Sequence, residues 1–116
     1  MKTFLAIYMG SASAFGKWKT MDEGERKQKE KAGKEAWMKW VKVNEKSIVD
    51  HGSPVGKTKR ISAQGIADTK NEIGAYTVVQ AESHEAAAKL FENHPHFMIF
   101  PGEKVEIMEC LPMPEM

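Results

Sequence analysis

The sequence predicts an α+β domain built on a four-stranded antiparallel sheet. Three observations support this: two segments are apolar on both alternating residue sets, two others are apolar on one set only, and helical stretches fall between them. At 116 residues the chain has the size of one domain, 1–116, able to bury about two thirds of its unfolded surface.

The first element is a strand over residues 3–9 (TFLAIYM), where Phe4/Ala6/Tyr8 and Leu5/Ile7/Met9 are both apolar, as in a strand covered on two faces. Gly, Ser and Ala over 10–16 predict a loop. Thr20 followed by Glu23 has the form of a capping box, so a helix should start there. Residues 22–31 are polar and interrupted by Gly24, which predicts an exposed helix; the packed helix is expected after Gly33. Over 35–46, Trp37, Trp40 and Val41 recur at helical spacing, with Lys39, Lys42 and Glu45 opposite. Two glycines and a proline make 48–56 (IVDHGSPVG) a predicted loop. The charged alternation of 58–64 reads as an edge strand, and 65–74 as the turn that leads to the second central strand, 75–81 (AYTVVQA). Ser83 is a good N-cap for a helix with Ala86, Ala87, Leu90 and Phe91 on its apolar face, ended by Pro95. After a loop over 94–102, residues 105–110 form the last strand.

The order β-α-β-β-α-β, with strands one and three apolar on both faces, predicts the ferredoxin-like fold with sheet order 4-1-3-2 and both helices on one face. The other face then needs a cover. A second copy is the simplest one, so a homodimer packed sheet to sheet is expected, with Met108, Met113 and Met116 as adaptable interface residues.

Composition narrows the function classes. Seventeen Lys and Arg against sixteen Asp and Glu give a net charge of +1, which supplies no drive toward nucleic acid or an anionic membrane. No apolar run approaches the ~20 residues that span a bilayer. Cys110 is the only cysteine, so no intrachain disulfide forms, and a cytoplasmic setting fits. Lys2, the apolar run 4–9 and Ala12-Ser13-Ala14 also imitate a secretion signal, the alternative to a buried first strand.

The residues able to carry chemistry lie on the two predicted loops that follow the helices and emerge at one end of the sheet. Asp50, His51 and His96 are the candidate catalytic groups, since a carboxylate beside an imidazole fixes its tautomer and raises its basicity. Tyr8, Trp37 and His94 are the candidate ligand-binding groups, although Tyr8 on a central strand and Trp37 at helical spacing are first of all core residues. His94 and His96 flank Pro95, and an extended segment would project both imidazoles to one side, where they could chelate a metal given a third ligand. The four His and one Cys form no recognisable ligand set, so no metal and no cofactor is expected.

The opening FLAIYMG, the stretch TKNEIGAYTVVQA running into SHEAAAKLFENHP, and the closing VEIMECLPM resemble the YCII-related family, in particular its DGPF-domain branch. The resemblance covers nearly the whole chain. It implies a dimeric α/β barrel with a pocket between sheet and helices, in a family whose members mostly lack an assigned reaction. Three features depart from the family pattern. Gly65-Ile66-Ala67-Asp68 stands where the branch carries Asp-Gly-Pro-Phe, residues 37–43 lack the helix His that family members pair with an Asp, and His94-Pro95-His96 replaces an Asp-Pro-Tyr-like triplet. Three functions remain open: a cofactor-independent enzyme transferring protons on a small metabolite through a His and a carboxylate, a non-catalytic binding or accessory module, and a purely structural dimer with no pocket beyond packing defects.

Overall fold

Burial alternates along β1 (Lys2–Met9) as its sequence requires. Phe4, Ala6 and Tyr8 are buried, while Leu5, Ile7 and Met9 on the other face are half-buried. The computed structural model describes residues 1–114, so Met116 lies outside the described residues. β1 pairs antiparallel with β5 (Ile73–Ala81) on one side and β6 (Lys104–Glu109) on the other, and β5 pairs in turn with β2 (Ile48–Pro54). The resulting order, β2-β5-β1-β6, is the ferredoxin-like arrangement, and the two segments expected at its centre are there.

α2 (Glu23–Val43) and α3 (His84–Lys89) cover the face that carries Phe4, Ala6, Tyr8, Val79 and Ala81. Trp37 and Trp40 pack from α2, and Ala87, Leu90 and Phe91 from α3 and the turn after it. Trp40 is anchored by its Nε1–H, which donates to the Leu90 carbonyl at 2.7 Å. Ser83 caps α3, its Oγ accepting from the Ala86 N–H at 3.0 Å.

Several local expectations are corrected. The predicted loop 10–16 opens into α1 (Ala12–Thr20), because Ser11 Oγ accepts from the Ala14 N–H at 3.1 Å and caps it. Thr20 does not cap α2. Its hydroxyl donates back to the Lys17 carbonyl, and Asp22 caps instead, accepting from the Glu25 N–H. Gly33 does not separate an exposed helix from a packed one: α2 runs through it, and a Cβ there would lie 2.5 Å from Phe100 Cζ. The glycine is a notch for that ring.

The predicted loop 48–56 is mostly β2, the edge strand of the main sheet. The segment expected at that edge belongs to a separate hairpin, β3 (Thr58–Ser62) with β4 (Gly65–Thr69). Gly52 and Pro54 misled because an edge strand tolerates both: Gly52 sits in an irregular stretch of the ladder at φ +71°, and an edge proline costs no ladder bond. Pro95 does not end a helix. It is the first residue of α4 (Pro95–Met98), where its missing N–H goes unused.

Candidate functional site

Between the open end of the β1–β5–β2 face and α1 and α2 lies a cavity of about 620 Å³, within the range of small-ligand sites. Aromatic rings form much of its wall: Phe15 and Trp18 from α1, Trp37 from α2, Tyr8 from β1, Tyr76 from β5, and Phe100 from the segment before β6. The rings brace one another, with Tyr8 5.0 Å from Trp37 and Phe100 6.1 Å from Trp37 between centroids. The ionisable groups around it are Glu30 and Lys34 from α2, His51 from β2, and His96 from α4.

His96 is held from two sides. Its Nε2 lies 2.9 Å from the Met9 carbonyl, which can only accept, so Nε2 carries the proton and the lone pair rests on Nδ1. The ring lies flat against Gly102, where a Cβ would come within 2.2 Å of it, and the Gly102 N–H donates to the His96 carbonyl at 3.0 Å. Burial lowers the His96 pKa, outweighing the carbonyls of Met9 and Lys104, so the ring is neutral at pH 7.

Tyr8 lines the wall with its ring rather than its hydroxyl. Thr77 Oγ1 donates its one proton to the His51 carbonyl at 3.2 Å. The Tyr8 hydroxyl, 3.0 Å from Thr77 Oγ1, must therefore donate to it. Burial pushes the phenol up to about 12, the Thr77 bond opposing only in part, so no phenolate forms at neutral pH. This relay ties β1 to β5 and β2 and fixes the backbone from which His51 projects.

Two assignments are corrected. Asp50 stands opposite Val78 in the ladder, and Val78 belongs to the sheet face away from the helices. Its Oδ1 accepts from the Gly52 N–H at 2.8 Å, so the carboxylate caps its own irregular strand and is not part of the cavity wall. His94 is fully buried and does not line the cavity. Because Pro95 starts a helix rather than extending the chain, His94 becomes its N-cap, with Nδ1 accepting from the His96 N–H at 3.0 Å. Trp37 and Trp40 stand edge-on to its ring at 4.5 and 4.7 Å. Burial in this cage pushes its pKa down to about 3, with His96 adding to the shift, and its Nε2 has no hydrogen-bond partner.

Of the six residues singled out in the sequence, the cavity thus brings together His51, His96, Tyr8 and Trp37. Sequence reasoning missed Phe100, Thr77 and Gly102, which reach the site only through strand register and the turn after α4. Among the described residues, no group of three or more His, Cys, Asp or Glu is placed to hold a metal ion.

No family model matches the chain, and no curated protein matches it. Among solved structures it is similar to 5-chloro-2-hydroxyhydroquinone dehydrochlorinase from Burkholderia phenoliruptrix AC1100, in complex with 2,5-dihydroxybenzoquinone. That match has a TM-score of 0.54 and 14% identity, over 90% of this chain and 89% of the other. At that identity the likeness is one of fold: an α+β chain with a four-stranded antiparallel sheet, and a fold that an enzyme of small molecules also uses. No helix of the described residues is long and apolar enough to cross a membrane.

Proposed function

We propose that the cavity binds a small planar, oxygenated metabolite and that His96 transfers a proton on it without a cofactor. The observation that carries this reading is the pinned, neutral imidazole of His96 in a wall of aromatic rings. A neutral ring with its lone pair on Nδ1 is a base at pH 7, and aromatic walls favour flat ligands by stacking. His51 and Lys34 at the cavity are suited to orienting polar substituents. The fold neighbour's complex with a dihydroxybenzoquinone supports the ligand class by analogy. The quoted sequence stretches support placing the chain in the YCII-related family, as a homodimer, and the lone Cys110 a cytoplasmic setting.

One observation favours a second reading, binding without turnover: neither His51 nor His96 hydrogen-bonds a carboxylate among the described residues, so the acid–base dyad expected from the sequence is incomplete. Calorimetric titration with hydroxylated quinones and phenols, followed by incubation and product analysis, separates the two. Binding with turnover that His96→Gln abolishes is the expected outcome. Binding without turnover supports the accessory module, and no binding by any planar ligand contradicts both.

A further inference from the structure

α4 is a single helical turn, Pro95–Met98, and it carries His96 to the cavity. A turn this short gains too few helical bonds to offset the cost of ordering it, so it keeps its place only where its surroundings fix it. Most of that fixing comes from one residue. Pro95 has no N–H to satisfy, and the next three amides all donate to His94: the His96 N–H to Nδ1 at 3.0 Å, and the Phe97 and Met98 N–H groups to the carbonyl at 3.2 and 3.1 Å. His94 is fixed in turn by the core. Its ring centroid lies 4.5 Å from Trp37, 4.7 Å from Trp40, 5.1 Å from Tyr8 and 5.8 Å from Phe91, and none of its surface reaches solvent.

Histidine at this position carries a cost. Ser, Thr, Asp and Asn are the usual N-caps, and each could accept from the same amide. A neutral histidine that accepts at Nδ1 has its proton on Nε2, and that atom is buried with no hydrogen-bond partner among the described residues, which lowers stability. A phenylalanine would fill the cage without this cost but would leave the His96 N–H unbonded. Histidine both packs among four aromatic rings and bonds the amide of the residue that enters the cavity.

We propose that His94 is a positioning residue for His96: through Nδ1 it ties α4 to the aromatic core, and so holds the His96 ring with its Nε2–H on the Met9 carbonyl and its lone pair on Nδ1. His94 is not part of the cavity wall, so it acts through His96 rather than on a ligand. Burial keeps its ring neutral, and the accepting lone pair therefore persists at neutral pH. This positioning bears on turnover through the reading of His96 as the base, on which it rests, whereas the state of the His96 ring is measured without a ligand. The two can therefore fail separately.

Long-range proton–nitrogen NMR of the histidine rings in wild type, His94→Asn and His94→Phe tests the assignment, with steady-state kinetics on any ligand that is turned over. His94→Asn keeps an accepting oxygen at the N-cap but leaves the cage partly empty, while His94→Phe keeps a ring in the cage and removes the acceptor. A residue that served packing alone would make His94→Phe the mild change and His94→Asn the severe one. The expected order is the reverse. In His94→Asn, His96 keeps its Nε2–H form even though the protein unfolds at lower denaturant. In His94→Phe, the Nδ1–H form appears at His96, and kcat falls about tenfold or more while KM stays within about twofold. Wild-type His94 with its proton on Nδ1 would remove the cap and overturn the assignment, a measurement that stands even if His94→Phe does not fold. A His96 unchanged in His94→Phe, or disturbed as much in His94→Asn, also overturns it. Rings that behave as expected in a protein that turns over no planar ligand leave the positioning standing and remove the reading of His96 as a base.

Discussion

The Tyr8 hydroxyl separates what lines the cavity from what acts in it. Since Thr77 gives its proton to the His51 carbonyl, Tyr8 must donate to Thr77, and its hydroxyl is occupied within the sheet. Tyr8→Phe should therefore cost about 1 kcal/mol of stability, the net value of one hydrogen bond, while ligand affinity stays within about twofold. Denaturant unfolding and calorimetry measure the two; a loss of binding without loss of stability would show that the hydroxyl serves the ligand. At this scale the sequence was informative where chemistry is local. His51 and His96 stand beside Gly52, Pro95 and nearby Gly102, and Tyr8 ends an apolar strand, all of which pointed to one end of the sheet. Asp50 was misplaced because an irregular strand changes which face the following residue occupies, and neighbouring residues do not encode that.

β2 shows the same limit at the scale of the element. Its residues include a glycine and a proline, the usual marks of a loop, yet Ile48 pairs with Val79 and Pro54 with Ala75. Gly52 makes this possible. At φ +71° it takes a conformation that side chains resist, and a Cβ would sit 1.7 Å from the Tyr76 carbonyl oxygen. Gly52→Ala should cost on the order of 3 kcal/mol and detach the edge carrying His51, seen as faster amide exchange in β2 than in β1. Unchanged stability would mean that the edge does not need this backbone. Central strands were legible because both their faces are apolar; the edge was not, because a one-sided strand and a hairpin arm carry the same alternation. Only pairing distinguishes them, and β3 found its partner in β4.

For the molecule as a whole, the buried imidazoles make stability depend on acid. An ordinary His takes up a proton near pH 6.5, and that is what happens to these residues in the unfolded chain. In the folded chain His94 stays neutral down to about pH 3 and His96 below its ordinary value. The unfolded state therefore binds more protons between these limits. The stabilisation is fully present above pH 6.5 and is lost as pH falls, at about 1.4 kcal/mol per pH unit from His94 alone. The same depression keeps a neutral base at the cavity. Long-range proton–nitrogen NMR of the four histidine rings across pH tests that claim most directly. His96 is predicted to show the Nε2–H form at neutral pH and to titrate below 6.5, with His94 unprotonated until near pH 3. A His96 that titrates at or above 6.5, or that carries its proton on Nδ1, would contradict it.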